Sequence, residues 1–344
     1  MIRKLLSALF ILALVAGLAL AGGGRDRGAA QAPLMVYASM DEGLARDLFS
    51  AFTRETGIPI NYIREGSGLF LARMEAERAN PQASIWVGGI GVDHITGRNR
   101  GLTTPYRSRY ADTIPAEFRC PDNYWIGLYL GPLAFITNMD RARELGITPP
   151  RSWADLLRPE LRGHIRMPNP TTSGTAYNIV TALVALFDRD EDAAFDFLRR
   201  LDENIDQYTR SGGGPGQSAA IGEIPIAIGF AHDLVRMRAA GANVEITIPS
   251  EGTGFELAAM SLIAGGPQPL EARLLYDWII SSPVALQYFI DFYLVMIQEG
   301  VQSHPMAVNM DAITLVAHDM AWEGDPVNRN RLLDRWNAEI GIRR

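Results

Sequence analysis

The sequence predicts an α/β fold built on an open, mainly parallel sheet. Two observations carry that expectation. Short apolar runs alternate with segments of helical period over residues 33–89, giving the order β-α-β-α-β. The segments after those runs are rich in Ser, Thr and Gly, the composition of loops that lead strands into helices. A chain of 344 residues is long enough for two such domains.

The elements follow in order. Pro33-Leu-Met-Val-Tyr-Ala38 reads as a buried strand, and Ser39 is placed to N-cap the next helix. Leu44, Leu48, Phe49 and Phe52 recur at helical spacing between Asp41 and Thr56, and Gly57 stops that helix. Ile58–Ile63 is a second strand, Gly66-Ser67-Gly68 opens a helix over 69–79, and Ser84–Val87 is a third strand ending at Gly88-Gly89. Tyr124–Leu130 and Leu133–Asn138 read as two strands split by Gly131-Pro132. A strand at His164–Met167, a loop over 168–174 and apolar helices at Thr175–Phe187 and Asp192–Leu201 follow. Ile224–Gly229 and Val244–Ile248 are strands, and Leu257–Ala264, Glu271–Ser281, Val284–Ile290 and Asn328–Ile340 return to a second α/β set. No repeat occurs at a solenoid period.

Composition and motifs exclude several functions. A net charge of −7 is wrong for sequence-independent nucleic-acid binding. Lys4 is the only lysine, so a chain that loses its first residues has neither a Walker lysine nor an amine for Schiff-base chemistry. Cys120 stands alone, which removes disulfides and cysteine-based metal centres. No histidine pair sits at i, i+4, and neither H-E-x-x-H nor G-x-S-x-G occurs, so no cofactor, metal site or catalytic residue is expected. Arg3 and Lys4, the apolar run from Leu5 to Leu20 and Ala19-Leu20-Ala21 make a secretory signal peptide cleaved after Ala21, with a flexible lead-in at 22–33. The apolar run is short of the ~20 residues that a spanning helix needs. An exported, soluble protein is expected.

In open α/β sheets ligands bind beyond the carboxyl ends of strands. The loops there centre on Ser39, Ser67, Gly88-Gly89, Thr171–Thr175, Ser211–Gly216, His232-Asp233 and Ser250–Thr253. Hydroxyls and free N–H groups at helix starts suit an anion, which marks Ser39, Ser67, Ser173, Gly174 and Thr175. Helix capping accounts for Ser39, Ser67 and Asp233 equally well; three hydroxyls and a glycine just before a helix make 171–175 the more specific signal. Ser211–Gly216 lacks G-x-G-x-x-G spacing and a Walker lysine.

Several ordered strings carry a family resemblance: V-Y-A-S-M at 36–40, A-S-I-W-V-G-G at 83–89, Y-W-I-G-L-Y-L-G-P-L-A-F at 124–135, S-W-A-D-L-L at 152–157, N-P-T-T-S-G-T-A-Y at 169–177, Q-Y-T-R-S-G at 207–212, P-S-E-G-T-G-F-E at 249–256 and R-L-L-D-R-W at 331–336. With these the chain resembles bacterial ABC-importer solute-binding proteins of the type II periplasmic-binding fold, in the ferric-iron-type group that includes organophosphate and sugar-phosphate binders. The resemblance implies two α/β lobes joined by a two-strand hinge, with the ligand cleft between them. Lobe one would be 34–135 plus 252–344 and lobe two 136–251. It implies a non-enzymatic, monomeric receptor that resides in the periplasm and serves an inner-membrane permease and its ATPase. Ferric-binding members carry adjacent tyrosines where this chain reads Ala231-His232-Asp233-Leu234, as organophosphate-binding relatives do. The ligand implied is therefore a small anion, with a sugar phosphate favoured. Its phosphate or carboxylate would lie at Ser39, Ser67 and Ser173–Thr175, and its hydroxyl or amine groups at His232, Asp233 and Glu251. A ferric-ion receptor is the alternative. A secreted hydrolase using His232-Asp233 and Glu251 as acid and base is a third reading, without a nucleophile motif or metal spacing behind it.

Overall fold

The structure, a computed structural model, describes residues 32–341. The expected signal peptide, its cleavage point and most of the lead-in lie outside the described residues. The first half runs β1 (Leu34–Ser39), α1 (Glu42–Thr56), β2 (Ile60–Arg64), α2 (Ser67–Ala76), β3 (Ile85–Ile90), α3 (Gly91–Asn99), β4 (Thr103–Thr104) and β5 (Ile126–Asn138). Next come α4 (Met139–Leu145), β6 (Ile165–Pro168), α5 (Gly174–Leu186), α6 (Glu191–Asp202), β7 (Ile205–Thr209), α7 (Gly214–Ala220), β8 (Ile226–Phe230), α8 (Ala231–Ala239) and β9 (Val244–Thr247). The chain ends with β10 (Phe255–Ile263), α9 (Pro269–Ser281), α10 (Pro283–Asp291), β11 (Val295–Met296), α11 (Met320–Glu323) and α12 (Pro326–Glu339).

Among the described residues the strands form one sheet whose main path is β2-β1-β3-β10-β5-β8-β6-β7. Two parallel trios, β2-β1-β3 and β8-β6-β7, stand at its ends. Antiparallel β10 and β5 join them. The α/β class is thus met, and so is the parallel pairing read from residues 33–89.

β5 corrects one expectation. It is a single strand through Gly131-Pro132, not two. Its first part, to Pro132, pairs with β10, and from Leu133 onward it pairs with β8. The proline, with no N–H to donate, falls where the strand changes partner. A second correction concerns the cap of α1. Asp41 caps that helix, accepting from Gly43 N at 2.7 Å and Leu44 N at 3.2 Å. Ser39 ends β1 and is left for other contacts. Gly57, at φ 75°, closes α1 in the left-handed conformation that glycine adopts without penalty.

One apolar core packs Val36, Leu48, Phe52, Leu275, Ile279 and Phe289 beneath β1 and β10. Another packs Phe135, Trp153, Ile165, Leu183, Phe195 and Ile228. The last helix belongs with the second: Leu332, Trp336 and Ile340 join that cluster, and Trp336 meets Tyr208 edge-on at 5.3 Å. Cys120 is buried and unbridged.

Candidate functional site

The carboxyl ends of β1, β2 and β3 face those of β6, β7 and β8 across one polar cleft. Its lining includes Ser39, Asp41, Arg64, Ser67, Gly89, Tyr129, Ser173–Thr175, Ser211–Gly213, His232, Asp233 and Glu256. Counted to its open mouth, with the solvent there included, it encloses ≈ 690 Å³.

One end is built from hydroxyls and helix starts. Ser39 Oγ accepts a hydrogen bond from the buried Trp86 indole at 3.0 Å, which leaves its own proton free to donate. Ser67 opens α2, and its hydroxyl donates to Asp93, a fully buried carboxylate on α3. Asp93 in turn pairs with Arg329 of α12 at 2.5 Å. Burial pushes the Asp93 carboxyl up, and Arg329 and Ser67 oppose that. Ser173 precedes α5 and makes no side-chain capping bond. It is 1% exposed and Thr175 9%, so both are more enclosed than a cleft-surface position suggests. The first N–H groups of α5 lack intrahelical partners and add the positive end of the helix dipole.

Gly174 is required here. A Cβ on it would collide with Ser67 Oγ, so the two halves meet at this glycine. Gly89, at φ 81°, fits between the Cβ atoms of Ser39 and Ser67, both under 3 Å from where its own would be.

The other end is acidic and aromatic. His232 and Asp233 occupy the first turn of α8. His232 Nε2 lies 3.6 Å from Glu256 Oε1 and 4.0 Å from Asp233 Oδ1, and its buried Nδ1 has no hydrogen-bond partner. Tyr129 packs edge-on against that imidazole at 5.8 Å. Burial drives the Glu256 carboxyl well above the ordinary carboxylate range, helped by Asp233. Burial also lowers the His232 pKa, against the pull of Asp233. Both shifts disfavour the charged form, so burial here favours groups that exchange hydrogen bonds over a fixed ion pair.

The cleft gathers seven of the eight residues read from the sequence: Ser39, Ser67, Ser173, Gly174, Thr175, His232 and Asp233. Glu251 lies elsewhere. Its carboxylate accepts from Trp153 N at 3.1 Å and Ala154 N at 3.2 Å, holding the turn that opens residues 154–157. Glu256, five residues on, reaches the cleft instead. A lone carboxylate inside the apolar run F-E-L-A-A-M-S-L-I was the available signal, since burying one is costly unless it is used. Asp41, Arg64 and Tyr129 carried no comparable mark. Among the described residues no group of three or more His, Cys, Asp or Glu side chains is disposed to hold a metal ion.

A sheet of this topology, with a polar cleft where the strand ends face one another, suits a protein that binds a small solute. Residues 97–294 match the family model for bacterial extracellular solute-binding proteins, over half of the chain, and the chain belongs to that family. It is therefore an extracellular solute-binding protein, the kind of receptor the resemblance implied. A Haemophilus influenzae relative of uncharacterized role is 34% identical, the match spanning 96% of this chain and 95% of that one. A Salmonella typhi protein named for periplasmic 2-aminoethylphosphonate binding is 26% identical over 68% of each chain. The solved periplasmic binding protein AfuA of Actinobacillus pleuropneumoniae, with exogenous fructose-6-phosphate bound, superposes with a TM-score of 0.86 at 32% identity, covering 90% of this chain and 99% of that one. A ferric binding protein of Campylobacter jejuni, at 16% identity and a TM-score of 0.72 over 89% and 99% of the two chains, shares the fold.

Proposed function

We propose that this receptor captures a sugar phosphate, with its phosphate at the hydroxyl end and its sugar hydroxyls at the acidic end. The division of one cleft into these two ends carries the reading. Ser39, Ser173 and Thr175 offer uncommitted hydroxyl protons beside the start of α5. Asp233, Glu256 and His232 offer the mixed donors and acceptors that neutral hydroxyls need. The fructose-6-phosphate relative supports this choice. A thermal-shift screen of sugar phosphates, phosphonates and ferric complexes tests it. Ligand at 100 times its dissociation constant adds about 2.7 kcal/mol of stability. Stabilisation by ferric ion alone, without an organic anion, would overturn the reading. Recovery of the phosphate ester unchanged after binding is expected of a non-enzymatic receptor, and turnover is expected of the hydrolase.

Two lobes move in this account, 34–135 with the chain from 252 onward and 136–251. One amendment is proposed: α12 moves with lobe two, because Leu332, Trp336 and Ile340 are bedded in that core. The protein acts as a monomer, delivers to a permease and its ATPase, and matures by cleavage after Ala21. An exported chain whose mass begins at Gly22 checks the last point.

Ser173→Ala is expected to weaken sugar-phosphate binding about 10- to 150-fold, since a hydrogen bond to a charged group contributes about 1.5–3 kcal/mol. Thr175→Val, which keeps shape, is expected to do the same. Unchanged calorimetric affinity in both would move the anion to Ser211–Gly213.

Glu256→Gln tests the protonated carboxyl. An acid with a raised folded pKa binds its proton more readily folded than unfolded. Stability then falls as pH rises from the unfolded pKa through the folded one. The variant is therefore expected to melt above the wild type at about pH 8 and level with it at about pH 4. Parallel melting curves at both pH values would show that Glu256 is ionised in the fold.

A further inference from the structure

We propose that Arg236 is a specificity-determining residue of the cleft, turning its acidic end away from ammonium groups and toward neutral hydroxyls. The proposal rests on the reading above and concerns the same site. Arg236 stands one turn after Asp233 on α8, outside the cleft lining. Its guanidinium pairs with Asp41, and the same Nη2 lies 3.9 Å from Asp233. The Phe292 ring, with its centroid 5.5 Å from Cζ, supports the group from another side. Asp41 comes from the β1–α1 turn and Asp233 from the first turn of α8, so one cation serves a carboxylate from each side of the cleft. Asp41 is also held by the α1 amides it caps.

Charge counting gives the consequence. Two carboxylates share one guanidinium, while burial holds Glu256 and His232 toward their neutral forms. A hydroxyl reads only hydrogen-bonding geometry there. An ammonium group reads charge as well, and Arg236 offsets about half of the attraction that the two carboxylates offer it. Without Arg236 the same end presents two uncompensated carboxylates, the environment an amine selects.

Calorimetric titration of fructose 6-phosphate and 2-aminoethylphosphonate into wild type, Arg236→Gln, Arg236→Lys and Asp41→Asn tests this. The ratio of the two affinities matters, because any general loosening of the cleft weakens both ligands. Arg236→Gln is expected to shift the ratio about tenfold toward the aminophosphonate, at an effective dielectric of about 20 with solvent screening. Arg236→Lys keeps the charge and is expected to hold the ratio within about threefold of wild type. Asp41→Asn keeps an N-cap and removes a negative charge, so it is expected to move the ratio the other way. A ratio unmoved in Arg236→Gln, or moved toward the amine in Asp41→Asn, overturns the assignment while sugar-phosphate binding to wild type stands. Wild type that binds neither ligand overturns the sugar-phosphate reading and this assignment with it.

Discussion

Gly66→Ala is expected to abolish tight binding while the protein still folds. Gly66 ends the β2–α2 turn at φ −67°, ψ 149°, a conformation alanine adopts freely. The obstacle is across the cleft. A Cβ here would overlap the Thr172 carbonyl oxygen and lie 3.2 Å from its carbon and 3.4 Å from Ser173 Cα. All three atoms are backbone of the β6–α5 loop and cannot swing aside as a side chain tip can. The strain is relieved by parting the two loops, which is an opening of the cleft. Parting them separates Ser67 from Ser173–Thr175, so an anion can be gripped from one side only. Losing two hydrogen bonds to a charged group, at about 1.5–3 kcal/mol each, predicts a loss of at least about 100-fold in affinity. The unfolding midpoint in urea without ligand is expected to stay near wild type, because parting the loops leaves both apolar cores packed. Affinity within about tenfold of wild type would show that closure does not bring these loops together.

The hydroxyl end of this cleft was legible in the sequence because its chemistry is local. Ser39, Ser67 and Ser173–Thr175 each follow a strand and precede or open a helix, so strand ends and helix starts locate them without any knowledge of pairing. The acidic end was only half legible. His232 and Asp233 follow β8 directly, but Glu251 and Glu256 share the string P-S-E-G-T-G-F-E, and pairing decides between them. β10 places Glu256 opposite Gly131 of β5, near His232, while Glu251 is drawn to the amides of Trp153 and Ala154. Arg236 and Asp41 are 195 residues apart, and no local pattern joins them. The starts of helices α3 and α8 are unmarked in the sequence for a related reason. Each begins directly at a strand end, at Gly91 and Ala231, and neither has a side-chain N-cap to announce it. Long-range packing fixed these starts, and a linear reading weighs capping residues and period.

Arg329→Met is expected to have the largest effect on stability, and its cause lies behind the anion end. Arg329 is 2% exposed, with its guanidinium 4.1 Å from the Tyr177 ring centroid and paired with Asp93. Asp93 is 0% exposed and also accepts from Ser67. Removing the cation leaves that carboxylate buried without its paired counter-charge, with only the weaker pull of Arg100 remaining, and breaking comparable pairs costs about 3–5 kcal/mol. Methionine fills much of the volume, so the loss is electrostatic in origin. The double variant Asp93→Asn/Arg329→Met removes both charges and is expected to recover most of the loss. The two changes are thus strongly non-additive. The pH dependence separates this from a packing defect. Burial already raises the Asp93 pKa against the pull of Arg329, so losing Arg329 raises it further. An acid raised in the folded state withdraws stability as pH rises from its unfolded pKa toward its folded one. The single variant is therefore expected to lose stability more steeply than wild type between about pH 4 and pH 8, and the double variant less steeply. Urea unfolding across that range, with the slope m unchanged, gives both numbers. Equal losses in the single and double variants would show that the guanidinium acts through its packing on Tyr177 rather than through the charge of Asp93.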